Sequence, residues 1–302
     1  MTVIDKASLL AGCCFLLLSL SAFAAGAETA VQKFRVGDAE IWAIADSLSD
    51  RGMDVFKGAD PAAIEKYVPT GKTPSAIMTF AVRLDGKMLL LDTGLGNSTG
   101  RVGNLMAGLA QAGIAPEDIE TILITHMHGD HIGGLIWDDG QAFPNADVLI
   151  GKAELDFWLD EKMLAENPGR KGNFDLARRV ADLYGDRIRT FGFGETVVPG
   201  ITSMAAVGHT PGHVALLLES GSEKLLCIGD LLHAAALQFP RPDINASFDM
   251  NPEQAAASRV AFLDYAAANS IPIAGMHLPF AGVGRVEKAS EGGFRYTPLN
   301  NE

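Results

Sequence analysis

Cysteine is scarce in this chain: three occur in 302 residues, and two of them are Cys13 and Cys14. Both lie in a leader segment read below as removable, which would leave Cys227 without a partner and exclude a disulfide framework. Cys227 sits in Leu225-Leu226-Cys227-Ile228, where a buried strand residue is expected. Positive charge is also short, because 24 Lys and Arg against 37 Asp and Glu give a net charge of −13. That balance leaves no cationic surface to neutralise phosphates, which argues against nucleic acid and against adhesion to an anionic membrane. No Gly-x-Ser-x-Gly motif marks a serine nucleophile. Internal repeats and linkers rich in Pro, Gly and Ser are missing too, so nothing divides the chain into several domains.

Long hydrophobic runs are limited to one, Leu9 to Phe23, preceded by Lys6 and followed by Ala22-Phe23-Ala24 and Ala25-Gly26-Ala27. A charged start, a brief apolar stretch and A-x-A sites read as a secretory signal peptide over residues 1–27, cleaved after Ala24 or Ala27. An uncleaved anchor is the alternative. A lipobox at Leu10-Ala11-Gly12-Cys13 is rejected, since its cysteine opens the apolar run where it should close it. The reading implies a secreted or periplasmic protein with no stable membrane anchor after cleavage, its residues 28–302 forming one domain.

Within that span strand and helix signals alternate. Hairpins are expected around Gly37-Asp38, Asp85-Gly86 and Ser220-Gly221-Ser222. Residues 121–125, 146–150 and 271–274 read as strands. Helices are expected over 102–112, 153–164 and 175–184, the last two with acids and bases on their outer faces. Pro252, capped by Asn251, opens a helix through Ala268. Strand-rich halves closed by helices fit two sheets packed face to face with helices outside. The apolar residues of 48–75 are left open as exposed, serving a homodimer contact or a lid.

All seven histidines fall between 126 and 277: His126, His128, His131, His209, His213, His233 and His277. The densest group is Thr125-His126-Met127-His128-Gly129-Asp130-His131, at the end of an apolar strand. Residues two apart in extended chain project the same way, so His126 and His128 share one direction. Gly129 lets the chain turn and bring Asp130 and His131 to a second point nearby. Imidazole and carboxylate suit zinc and similar divalent ions, and two metals in one clasp explain the density. A loop that merely happens to hold three histidines would bury unpaired polar groups at a cost.

His-x-His-x-Asp-His after an apolar strand resembles the signature of the metallo-β-lactamase-fold hydrolases. Gly208-His209-Thr210-Pro211-Gly212-His213, Gly229-Asp230, Gly275-Met276-His277 and Leu91-Asp92-Thr93-Gly94 stand where that family has its further motifs. The resemblance implies an α+β fold, an αββα sandwich with a dinuclear metal site at one edge of the two sheets. It implies His126, His128 and His209 on one ion, Asp130, His131 and His277 on the other, and Asp230 joining them. His213, His233 and Asp92 are then expected to hydrogen-bond or line the site without ligating. The tail, His277-Leu278-Pro279-Phe280 and Gly293-Phe294-Arg295-Tyr296, resembles the branch containing methyl parathion hydrolase and secreted lactonases. In that branch an aromatic patch receives the leaving group, for which Trp158, Phe174 and Phe280 are the candidates.

A water bridging two divalent cations, with Zn2+ the expected metal, loses a proton near neutral pH and can attack an ester or phosphotriester. Asp130 could also assist proton transfer to the leaving group. The expected activity is hydrolysis of a small-molecule lactone or aryl ester. A phosphotriesterase is the enzymatic alternative, and a non-catalytic periplasmic metal-binding or sensor protein is the alternative of another class.

Overall fold

The computed structural model describes residues 30–56, 58–97 and 100–299, so the expected signal peptide lies outside the described residues. Two seven-stranded sheets form the centre of the molecule. The first runs in the order Val31–Val36, Ala39–Gly52, Lys72–Leu84, Lys87–Leu91, Thr121–Ile124, Asp147–Gly151 and Ile188–Phe191. Thr196–Val198, Ile201–Ala205, Val214–Ser220, Glu223–Cys227, Ile273–Ala274, Val283–Lys288 and Phe294–Pro298 form the second. The turn joining Lys72–Leu84 to Lys87–Leu91 places Asp85 at φ 50° and Gly86 at φ 81°, the left-handed pair that a tight hairpin needs.

Apolar side chains sort into layers. Between the sheets lie Ile41, Phe80, Leu91, Leu123, Leu216, Leu225 and Met276, with Cys227 buried among them. Ile122, Ile124, Val148 and Ile150 point the other way, under helices Leu105–Ala112, Lys152–Leu159 and Lys171–Tyr184. Leu226, Ile228 and Ile273 do the same for the second sheet, under helix Pro252–Ala268, whose cap Asn251 accepts the Gln254 amide at 3.1 Å. Because successive strand residues face opposite sides, a strand covered on both faces is apolar throughout, as Thr121–Ile124 nearly is. The result is a four-layer αββα sandwich, as expected.

Several local expectations are corrected. The second strand of the hairpin around Gly37-Asp38 runs further than that signal implies: it bulges between Ala45 and Ser47 and continues to Gly52 against Lys72–Leu84. Phe56, Ala63 and Val68 are buried against Ala234, Leu237 and Ile244, with Met53, Val55, Ala59 and Tyr67 partly covered beside them, so most apolar residues of 48–75 are not exposed as expected, although Leu48 is. The helix expected over 153–164 is two, Lys152–Leu159 and Glu161–Glu166, broken at Asp160, whose carboxylate caps the second. The strands after residue 280 had no reading in the sequence. No helix among the described residues is long and apolar enough to cross a membrane.

Candidate metal centre

Chain direction places the site. Lys87–Leu91 runs parallel to Thr121–Ile124, and Glu223–Cys227 parallel to Ile273–Ala274. Their carboxyl ends lead into Asp92, the 126–131 turn, Asp230 and His277, on segments that hydrogen-bond to one another at the sheet edge. His209 joins from the loop after Ile201–Ala205.

His126, His128, His209 and Asp230 offer ligand atoms that lie within 4.8 Å of one another, and so do Asp130, His131 and His277. His128 Nδ1 is 3.1 Å from His126 Nε2 and 2.9 Å from His209 Nε2. The Asp230 carboxylate sits between the groups: Oδ2 is 3.6 Å from His126 Nε2, 3.3 Å from His209 Nε2 and 3.1 Å from His277 Nε2. Its Oδ1 is 3.2 Å from His131 Nε2. Asp130 lies at the open side, with Oδ2 3.4 Å from His277 Nε2 and its side chain 29% exposed.

Outer hydrogen bonds orient most of these rings. His131 Nδ1 donates to Asp92 Oδ2 at 2.8 Å, His209 Nδ1 to Asp249 Oδ1 at 2.9 Å and His277 Nδ1 to the Ala76 carbonyl at 2.8 Å. Each leaves its Nε2 facing inward. Asp92 also accepts the Thr125 amide and hydroxyl, both at 2.7 Å, and the Thr125 hydroxyl oxygen lies 3.2 Å from His126 Nδ1. His213 takes no part in the inner group. Its Nδ1 donates to the Ala206 carbonyl and its Nε2 accepts the Asp230 amide at 3.0 Å, which fixes the backbone that carries that carboxylate. Burial and the neighbouring His209 charge push its pKa down to about 3, in keeping with a neutral ring. His233 reaches Asp230 Oδ2 at 3.2 Å and stacks on His277, with centroids 5.0 Å apart.

These residues fit a pair of divalent cations. His131 Nε2 and Asp230 Oδ1, though 3.2 Å apart, are buried and make no hydrogen bond, and His128 Nδ1 faces two imidazole nitrogens at once, to which one proton cannot be given twice. Without cations the cluster divides its protons. Burial opposes charge on His209, but hydrogen bonds to Asp230 and Asp249 outweigh it and raise the pKa to about 9. Burial and neighbouring imidazoles hold His126 and His128 well below the ordinary histidine value. Cations held by carboxylate and neutral imidazole would take the place of those protons.

Above the cluster opens a cavity of about 660 Å3, with Val55, Ile77, Leu176 and Phe248 among its apolar walls. Here the aromatic expectation is corrected. Trp158 and Phe174 are fully buried, their centroids 4.8 Å apart, and Phe280 packs on the layer between the sheets. None of the three lines the cavity, since the helices that carry the first two turn their apolar faces to the sheet. Phe248 is the aromatic at the wall.

Glu154 escaped the sequence reading, which put the acids of its helix on the outer face. It is buried, accepting the Met127 amide (2.8 Å), Trp158 Nε1 (2.6 Å), the Thr210 hydroxyl (2.7 Å) and the Gly212 amide (2.9 Å). It thereby ties the turn between His126 and His128 to the loop of His209. The glycines of that loop allow close docking: a Cβ on Gly212 would come 2.2 Å from the Glu154 amide nitrogen, and one on Gly208 2.2 Å from that of Ala255. Asp249 was missed as well, because a lone acid before a helix cap carries no signal of its role. Besides His209, it meets the fully buried Arg259 at 3.2 Å.

The sequence model of the metallo-beta-lactamase superfamily matches residues 73–270. An N-acyl homoserine lactonase of Bacillus cereus is 31% identical over 121 residues, 40% of this chain and 41% of that protein. A hydroxyacylglutathione hydrolase 2 of Vibrio vulnificus is 38% identical over 117 residues, 39% and 34% of the two chains. The chain thus spans about two fifths or less of the length of these curated relatives. Among solved structures, AbOPH, a hydrolase in the beta lactamase superfamily, superposes with a TM-score of 0.85 at 27% identity over 92% of this chain and 100% of that one. AidC, a dizinc quorum-quenching lactonase in complex with a hexanoyl-homoserine product, gives 0.81 at 27% identity over 91% and 99%.

Proposed function

This chain belongs to the metallo-beta-lactamase superfamily, and we propose that it is a metal-dependent hydrolase that opens lactones or cleaves aryl esters at a site for two zinc ions. The observation that carries the reading is the convergence of His126, His128, His209, Asp130, His131, His277 and Asp230, most of the rings held by an outer hydrogen bond so that one ring nitrogen points inward. His126, His128 and His209 would hold one ion, Asp130, His131 and His277 the other, and Asp230 both. Bound there, the ions would polarise the substrate carbonyl and acidify an attacking water.

The chain's own groups do the rest. Asp130, alone among these donors in being substantially exposed, stands at the cavity floor where a carboxylate can pass a proton to the departing oxygen. The apolar wall of Val55, Ile77, Leu176 and Phe248 excludes water and receives the acyl or aryl portion. Likeness to lactonases of the same fold supports the choice of substrate. The leader read over residues 1–27 supports a secreted or periplasmic location within the same proposal.

Metal analysis together with a substrate panel tests it. Two zinc equivalents per chain and faster turnover of a chromogenic lactone or aryl ester than of paraoxon are expected. A preference for paraoxon would make the protein a phosphotriesterase, and metal binding with no turnover of any of the three would favour a sensor.

A further inference from the structure

The cavity carries positive charge that the metal chemistry does not account for. Arg51, Arg101 and Arg170 all line it, in a chain whose net charge is −13. Among the described residues none of the three forms an ion pair. Arg51 is half-buried, with its Nε buried and unpartnered. Its Nη2 is 3.5 Å from His277 Nδ1, but that nitrogen already donates to the Ala76 carbonyl and offers no lone pair. Arg170, also half-buried, spends one donor on the Phe248 carbonyl at 3.2 Å. The buried carboxylate nearest in charge to it, Asp249, is already held by His209 and Arg259. Outside the histidine cluster the wall holds one acid, Asp50, which is exposed.

Phe248 links the two inner arginines. The Arg51 guanidinium carbon lies 5.4 Å from the centre of its ring, the Arg170 guanidinium bonds its carbonyl, and the ring packs 5.3 Å from His233. An apolar platform therefore leads from the metal cluster to two guanidinium groups with unused donors. Keeping unpaired guanidinium groups partly out of water is costly, and a planar fork of N–H groups matches a carboxylate. We propose that Arg51 and Arg170, with Arg101 at the rim, bind a carboxylate on the substrate remote from the scissile bond, so that the preferred esters or lactones are anionic. This rests on the hydrolase reading above.

The test compares two esters with the same leaving group, 4-nitrophenyl acetate and mono-4-nitrophenyl glutarate, on the metal-loaded full chain. The charged ester should show a kcat/KM about tenfold or more above the neutral one at low salt, an advantage that shrinks as added salt screens the charges. Arg51→Gln and Arg170→Gln should each cut the charged-to-neutral ratio by about fivefold, mainly through KM. Calorimetric titration with the uncleaved glutaric mono-4-nitroanilide should show the same loss of affinity. A wild-type ratio at or below one overturns the proposal, as does a ratio that both substitutions leave unchanged. Should the variants fail to fold, the wild-type ratio and its salt dependence decide. Turnover of the neutral ester alone sinks this inference and spares the hydrolase reading, whereas turnover of neither ester nor any lactone sinks the hydrolase reading.

Discussion

The Glu154 carboxylate accepts the Thr210 hydroxyl at 2.7 Å across 56 residues of sequence, joining the loops that carry His128 and His209. Four donors converge on this one side chain, none of them a metal ligand. Glu154→Gln keeps the shape but turns an amide N–H toward those donors. A loss of about 2–4 kcal/mol in unfolding free energy is expected, together with weaker metal binding. Denaturant titration with and without metal measures both. An unchanged midpoint would mean that the loops hold their spacing without it.

Asp92 acts on the other half of the site, orienting His131 while fixing Thr125. Asp92→Asn cannot accept from the imidazole and both Thr125 groups in the same way. If two ions bind as proposed, affinity for the one held by His131 should fall by about 10- to 100-fold, with the fold retained. Competition with a chromogenic chelator resolves the two binding events. Equal weakening of both sites would contradict the assignment.

Burial of Trp158 and exposure of Phe248 to the cavity separate stability from selectivity. Trp158→Phe should lose about 2–3 kcal/mol of stability, through the vacated volume and the donor that Glu154 loses. Ranking of substrates by acyl or aryl group should stay as it was. Phe248→Ala should instead change that ranking through KM, with little effect on the melting temperature. Steady-state kinetics on one ester series, beside thermal melts, tells the two cases apart.

Asp46 provides a pH signature away from the histidines. Its carboxylate accepts the Leu95 amide at 2.9 Å and the Leu105 amide at 2.8 Å, and a Cβ on Gly103 would come 2.2 Å from Oδ1. Burial raises its pKa despite those bonds. A raised carboxylate contributes stability that is complete below its unfolded pKa, near ~4, and is lost as pH rises through the folded value. The stability difference between the wild-type chain and Asp46→Asn should therefore shift in the wild type's favour as pH falls from about 7 to about 4. Melts of chelated protein across that range, with both chains in parallel, follow the shift; a flat difference would mean that Asp46 titrates alike in the folded and unfolded chain.

The sandwich was legible where local chemistry decides structure. Asp85-Gly86 set a hairpin, Asn251-Pro252 started a helix, and the His126–His131 spacing marked a cluster that the strand ends bring to His209, Asp230 and His277. What stayed hidden depends on tertiary direction. Glu154 occupies a helix position whose neighbours Lys152 and Asp156 are paired in solvent, and only docking against the Gly212 loop turns it inward. Trp158 and Phe174 carry aromatic rings suited to a pocket, yet residue type does not say which face of a helix meets the sheet. Arg51 lies in a strand extension beyond a bulge, and the turn signal at Gly37-Asp38 that marked the start of this strand says nothing of how far it runs.

Much of the cavity wall comes from segments that supply no candidate metal ligand: 49–55 on a strand extension and the turn after it, 170–176 at a helix start and Phe248 on a loop. Descendants of this gene can therefore exchange one repertoire of molecules for another while inheriting the reactive machinery intact.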